Sequence, residues 1–172
     1  MRVAVLVLVA GMMLSPTVGC GYKLAGKVNF LPEHIRVINL ESFENRTNRP
    51  EIEQRVTEEV ARQFARRGNY RVVTTLDGAD ASMEGVISSY RTEPVEFNAA
   101  GRATQMLAIV TIQATFRDLS NDEVLWSQSG LNFRDQFAVP QEGEFFDQET
   151  LAIERIAIEA GGTLVSSLLE GF

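Results

Sequence analysis

Residues 34–73 read HIRVINLESFENRTNRPEIEQRVTEEVARQFARRGNYRVV. The stretch divides into strand, polar turn, amphipathic helix, glycine stop and strand. In His34–Leu40 the β-branched Ile35, Val37 and Ile38 form a short run with polar borders, which favours a strand. Ser42–Arg49 is rich in Ser, Asn, Thr and charge and reads as a loop. Within it Asn45-Arg46-Thr47 matches a glycosylation sequon, but side chains of this kind bond nearby backbone and serve better to turn the chain toward Pro50. Pro50 suits the first turn of a helix, where a missing N–H costs nothing. Ile52, Val56, Val60 and Phe64 then recur every four residues as one apolar stripe facing a sheet. Glu51 and Glu53 sit at the positive end of the helix dipole, Arg66 and Arg67 at the negative end. Gly68 closes the helix and Tyr70–Thr75 forms the next strand. If the two strands are parallel neighbours, the helix is a right-handed crossover.

C-terminal to this unit the pattern is that of a sheet completed by a second helix. Asp80–Tyr90 alternates, with Ala81, Met83, Gly85, Ile87 and Ser89 on one side and Ser82, Glu84, Val86, Ser88 and Tyr90 on the other. Gly85 marks a bulge or a close approach. Pro94 interrupts the strand at a bend or an edge, and Val95 and Phe97 resume it. The longest strand, Thr104–Arg117, puts Met106, Ala108, Val110, Ile112, Ala114 and Phe116 toward the helices. Its other side, Gln105, Leu107, Ile109, Thr111, Gln113 and Thr115, starts apolar and turns polar, so its early part needs a cover. Asp118–Asp122 turns into a partner strand over Glu123–Asp135, with Gly130 at a bulge. Phe137–Gln148 reads as a loop, and a helix starting near Asp147 or Thr150 runs to Glu170. Gly161-Gly162 inside that helix costs roughly 2 kcal/mol against two alanines, which implies a kink or a close approach to the sheet. The expected fold is α/β, an α+β two-layer sandwich with a mixed four- to five-stranded sheet, two helices on one face and the order β-α-β-β-β-β-α.

The N-terminus reads as a delivery device. Arg2 is followed by the apolar run Val3–Leu14, which is shorter than the ~20 residues a bilayer span needs. One basic residue, a short apolar core and small residues are the marks of a secretory signal. Thr17-Val18-Gly19-Cys20 resembles the lipobox of bacterial lipoproteins, with Thr17 where Leu is usual. That resemblance implies cleavage before Cys20, a diacylglycerol on its thiol and acylation of the new amine. Gly21, rather than Asp, follows Cys20, which resembles lipoproteins passed on to the outer membrane. Cys20 is the only cysteine, so no intramolecular disulfide can form, and lipidation would consume a thiol otherwise exposed to an oxidising space. The expected organisation is a signal peptide at 1–19, a lipidated tether at 20–32 and one domain at 33–172.

Charge and composition narrow the function. The chain carries 16 basic and 23 acidic side chains, net −7. Loss of Arg2 with the signal leaves −8. An acidic chain is a poor nucleic-acid binder, because phosphate contacts need Lys and Arg. His34 is the only histidine. No nucleophile–base pair, GxSxG elbow, phosphate-cradling loop or Cys/His cluster with zinc spacing can be built, so no metal, cofactor or catalytic residue is expected. A binding or scaffolding role follows by elimination, ahead of an exported hydrolase using a carboxylate pair.

Nearly the whole chain resembles the LPS-assembly lipoprotein family, LptE. The matching segments are GCGYKLAG, LPEHIRVINLESFENRT, PEIEQRVTEEVARQFARRGNYRVV, Ala79-Asp80, EGVISSY, PVEFN, Phe116–Asp118, EVLWS and a last helix ending SLLEGF. The resemblance implies residence on the periplasmic face of the outer membrane, a complex with the LptD β-barrel that the lipoprotein plugs and helps to assemble, contact with lipopolysaccharide, and no enzymatic activity. Lipopolysaccharide is anionic, so Arg91, Arg102, Arg117 and Arg134, which flank loops or lie at strand ends, are the candidate contacts. A second resemblance, carried by Phe43, Asn45 and Thr47, is to CsgG-like or penicillin-binding-protein-activator lipoproteins that form a secretion ring or scaffold a cell-wall synthase.

Overall fold

The computed structural model describes residues 31–67, 70–140 and 145–171. The signal segment, Cys20, the tether up to Phe30, the Gly68 helix stop and Gly143 therefore lie outside the described residues. In chain order the elements are β1 (Val37–Leu40), β2 (Glu44–Asn45), α1 (Ile52–Arg66), β3 (Arg71–Val73), β4 (Ala81–Phe97), β5 (Ala103–Asp118), β6 (Glu123–Ala138) and α2 (Phe145–Glu170). The expected order holds, with the two-residue β2 added. The mixed sheet runs β3-β1-β4-β5-β6, with β2 beside β4. β1 is parallel to both β3 and β4, whereas β4, β5 and β6 are antiparallel.

The apolar stripe of α1 packs as its period requires: Ile52, Val56, Val60 and Phe64 are all fully buried. With them in the core are Ile38, Met83, Ile87, Ile112 and Phe116 from the sheet and Ile156, Leu164 and Leu168 from α2. The helix start differs from expectation. Pro50 lies outside it, and Glu51 is the N-cap in the left-handed conformation at φ 67°. The turn before it is made by Asn45 and Thr47. Asn45 Oδ1 accepts from the Thr47 N–H at 2.9 Å, Thr47 Oγ1 accepts from the Arg49 N–H, and Asn45 Nδ2 donates to the Arg49 carbonyl at 2.8 Å.

The sheet departs from strict alternation at one position that matters. Ile87 lies opposite Ile112 and Ser89 opposite Thr111, so Ser88 is an extra residue. Beyond it the pleat is inverted. Tyr90 now lies opposite the buried Val110 and faces the helices, against the expected side. Gly85 is the close approach, since a Cβ there would sit 2.2 Å from the Phe43 ring. Gly130, at φ 70°, marks the bulge expected in β6, between the pairs Ile112–Leu131 and Ala114–Gln128.

Pro94 does not break β4, which continues to Phe97. The reason lies in the ladder. The Val139 N–H bonds to the Thr104 carbonyl, so by alternation Met106 directs its backbone groups to β6. Its other neighbour, Pro94, directs its own backbone away from β5. From Ser88 onward β4 pairs, among the described residues, only with β5, so the missing N–H falls on an edge open among them, where proline is tolerated. β6 likewise runs past Asp135 to Ala138, and α2 begins at Phe145, earlier than expected.

α2 runs unbroken through Gly161-Gly162. The close approach is to the other helix and not to the sheet. A Cβ on Gly161 would lie 2.7 Å from Glu59 Cγ, while Gly162 faces open space. Glu59 is buried, with its oxygens satisfied by Arg62 Nε and Gln63 Nε2, both at 2.7 Å.

At one end of the sheet two aspartates organise the chain. Asp80 accepts the backbone N–H groups of Val37 and Arg36 at 2.7 and 2.8 Å, which hold its carboxyl below the usual carboxylate range. Asp118 is buried, which pulls its pKa up, but bonds from Ser120 and from His34 Nε2 at 2.9 Å outweigh this and leave it lowered. The β4–β5 turn lies at the opposite end, and strands of this length span roughly 50 Å.

Candidate functional site

The helices cover one face of the sheet. The other is built from the second alternating set of β5 and its neighbours in β4 and β6. Several opposed side chains on it are small and polar. Thr111 Oγ1 donates to Asn132 Oδ1 at 2.9 Å, Thr115 and Ser127 hydroxyls lie 3.1 Å apart, and Ser88 Oγ donates to the Thr111 carbonyl.

In the middle of this face lies a row of three. Arg91 on β4 and Arg134 on β6 stand directly opposite Ile109 on β5. Two strand spacings separate the arginine Cα atoms, about 10 Å. Both arginines are exposed, yet Ile109 between them is only 2% exposed and is separate from the main core. Flanking side chains with aliphatic stems are suited to cover an apolar residue of this kind. Among the described residues neither arginine has an ion pair or side-chain hydrogen bond. Several other cations are paired: Arg55 reaches Glu154 at 2.6 Å, Arg62 reaches Glu59, and Arg155 reaches Asp135, whereas Arg36, Arg66, Arg71 and Arg102 share the unpaired state among the described residues.

The four arginines singled out from the sequence therefore do not form one cluster. Arg91 and Arg134 come together. Arg102 lies in the β4–β5 turn, where its N–H donates to Asn98 Oδ1 and its side chain is exposed. Arg117 lies eight residues along β5 from Ile109, a distance of about 27 Å. It is occupied there by the Asp122 carboxylate and carbonyl, both at 3.0 Å. Ile109 is the member of the row that the sequence reading did not pick out as a site residue. Its signal was the apolar start of the polar side of β5.

On the covered face, at the level where Ser88 inverts the pleat, lies a buried polar cluster. The Tyr90 hydroxyl donates to Glu149 Oε1 at 2.5 Å, and Arg49 Nη2 lies 3.5 Å from Glu149 Oε2 and 3.1 Å from Thr150 Oγ1. Burial, then the Glu149 carboxylate, push the Tyr90 hydroxyl well above its ordinary pKa, so it stays a donor. The cluster ties the β2–α1 turn, β4 and the first turns of α2 together. An open cleft of about 290 Å³ between α1 and α2 is lined by Arg55, Glu58, Arg62, Glu154, Ala157 and Ile158, and its charges neutralise one another. Among the described residues no group of three or more His, Cys, Asp or Glu is placed to hold a metal ion, and no helix is long and apolar enough to cross a membrane.

Residues 35–168 match the family LptE, lipopolysaccharide-assembly. The chain belongs to the LptE family. No curated protein matches it. Among solved structures, hypothetical protein CT253 from Chlamydia trachomatis is similar at a TM-score of 0.53 and 10% identity, over 80% of this chain and 99% of that one. The rare lipoprotein B from Shewanella oneidensis is similar at a TM-score of 0.51 and 12% identity, over 77% and 93%. At these identities the likeness is one of fold. It places the LptE chain among α+β proteins with two helices on one face of a mixed sheet. Membership in LptE favours a lipopolysaccharide-assembly lipoprotein over the secretion-ring and synthase-scaffold reading.

Proposed function

We propose that this LptE protein is exported by residues 1–19, lipidated at Cys20 and held at the periplasmic face of the outer membrane. There it plugs an LptD-type β-barrel, assists the barrel's assembly and takes part in placing lipopolysaccharide in the outer leaflet. It does so by binding and not by catalysis, and uses no cofactor. The polar, helix-free face supports this reading, because a barrel lumen is polar and is matched by hydroxyl and amide side chains.

The observation that carries the lipopolysaccharide contact is the Arg91–Ile109–Arg134 row. Two exposed guanidinium groups without carboxylate partners, about 10 Å apart over a buried apolar floor, are suited to an anionic saccharide. Arg102 extends the contact toward the turn. Arg117, held by Asp122, contributes least.

Two measurements test the proposal. Affinity purification of the lipidated protein from outer membranes in mild detergent should yield a large β-barrel at about one-to-one stoichiometry. A cell-wall synthase, or a ring of this chain without a barrel, would sink the plug reading. Joint charge reversal, Arg91→Glu with Arg134→Glu, should weaken lipopolysaccharide binding by about two orders of magnitude, each charge-assisted contact contributing ~1.5 kcal/mol. Unchanged binding would remove the arginine row from the function.

A further inference from the structure

We infer that the end of the molecule at the β4–β5 turn holds a site for the alkyl chains of lipopolysaccharide, built from Pro94, Met106, Phe145 and Phe146. The inference rests on the reading above for the nature of the ligand and adds the part of the ligand that arginines cannot hold.

One row of side chains crosses the three long strands on the helix-covered face: Pro94 opposite Met106, and Met106 opposite Phe137. Phe137 is buried at 3% exposure. Phe145 meets it edge-on, with ring centroids 5.4 Å apart, and Phe146 meets Phe145 in the same way at 5.8 Å. Burial falls step by step along this series, and Phe146 ends 72% exposed. The core is thus open at this end. Val95 and Phe97, 43% and 58% exposed, continue β4 just beyond Pro94. The other exposed large hydrophobic residues are dispersed: Leu76 in the β3–β4 connection, Val124 at the far end of β6, and Leu151 and Ile158 along α2. Exposed apolar surface that is gathered in one place marks an interaction site.

The occupant follows from what surrounds the patch. The lumen of a barrel partner is polar and offers this end no match. Lipopolysaccharide, the ligand in the reading above, carries alkyl chains on an anionic head. Arg91 lies three residues before Pro94, and Arg134 three before Phe137, both on the opposite face of the same strands. Three residues are about 10 Å of strand. Between the two faces lies the edge of β4, which among the described residues has no strand partner on that side from Ser88 to Phe97. An amphiphile draped over this edge sets its anionic head against the arginines and its chains against Pro94, Met106, Phe145 and Phe146.

The test uses the lipidated full chain in mild detergent and two probes: intact lipopolysaccharide and its fully de-acylated, phosphorylated oligosaccharide. Phe146→Ser should weaken binding of the intact molecule about tenfold, the equivalent of losing part of one phenyl contact, and leave the oligosaccharide unaffected. Weakening of both probes, or of neither, overturns the inference. Arg91→Glu with Arg134→Glu should weaken both probes. If it weakens neither while Phe146→Ser behaves as expected, the arginine reading falls and the chain site stands. A photoreactive phenylalanine analogue at position 146 should cross-link to acylated lipid. Cross-linking only to the barrel or to a second copy of this chain would overturn the inference.

Discussion

The Tyr90 hydroxyl donates a hydrogen bond to Glu149 across the layer boundary, 59 residues apart in the chain, and does so because one extra residue, Ser88, turns Tyr90 inward. Glu149 is 8% exposed, so its oxygen has little water to fall back on. Tyr90→Phe should cost about 1–2 kcal/mol in urea denaturation by leaving that oxygen unsatisfied. A loss within error would mean that Arg49 and solvent satisfy Glu149 without the tyrosine.

The two adjacent glycines of α2 should respond in opposite directions. Alanine is the better helix former by up to about 1 kcal/mol. Gly162→Ala has open space and should gain stability of that order. Gly161→Ala drives a methyl into Glu59, whose backbone carbonyl carbon is 3.0 Å away, and should lose about 1–3 kcal/mol. Equal changes at the two sites, by thermal or urea melts, would refute the helix–helix approach.

Gly85 should tolerate no side chain while Phe43 is present. Gly85→Ala overlaps the Phe43 ring at 2.2 Å and should destabilise by ~2–3 kcal/mol. If the ring is the cause, the loss in Gly85→Ala with Phe43→Leu should be smaller than the sum of the two single losses, as a double-mutant cycle would report.

Acid should weaken the end of the sheet where β1 begins. Asp80, bonded by the Val37 and Arg36 N–H groups, and Asp118, bonded by Ser120 and His34 against the pull of burial, both have lowered folded pKa values. Their stabilisation is present above the unfolded carboxyl pKa of about 3.9 and is lost as pH falls through the lower folded values. Urea midpoints between pH 7 and pH 2.5 should therefore drop on the acid side. The Asp80→Asn, Asp118→Asn pair should flatten that slope, and an unchanged slope would exclude both groups.

Pro94 guards the open edge of β4. Replacing it by Thr restores an N–H that points at solvent, in a strand that tolerates the residue. Pro94→Thr should leave stability within about 0.5 kcal/mol and raise self-association in sedimentation velocity. A large stability loss would show that the proline is fixed by packing rather than by the edge.

How far the sequence could be read depended on the range of the interaction involved. The α1 stripe of Ile52, Val56, Val60 and Phe64 needs only a local period, and all four residues are fully buried. The alternation of β5 needs only a pleat, and it placed Ala108, Val110 and Ile112 correctly. Tyr90 could not be placed, because a bulge at Ser88 is a matter of register between strands, and nothing in SSYRT announces it. Pro94 was legible as a bend or an edge, and a register shift does follow it, but which side of β4 lacks a partner was not. Of the four arginines, the pairing of Arg91 with Arg134 required the register of three strands at once, and the capture of Arg117 by Asp122 required the geometry of a turn. Gly161 signalled a close approach, but its partner, Glu59, is about a hundred residues away and had no sequence mark.

The length of β4 and β5 has a consequence for orientation. The first described residue, Leu31, belongs to the Asp80–Asp118 end, from which β1 sets out, and the β4–β5 turn is at the other pole. Leu31 lies eleven residues after Cys20, a stretch that can reach at most about 39 Å. From the Asp80–Asp118 end to the turn the sheet spans roughly 50 Å, more than the ~30 Å of a hydrocarbon layer. With a tether of that reach at one pole, the anchor proposed for Cys20 would leave the height of the other pole to whatever grips the domain.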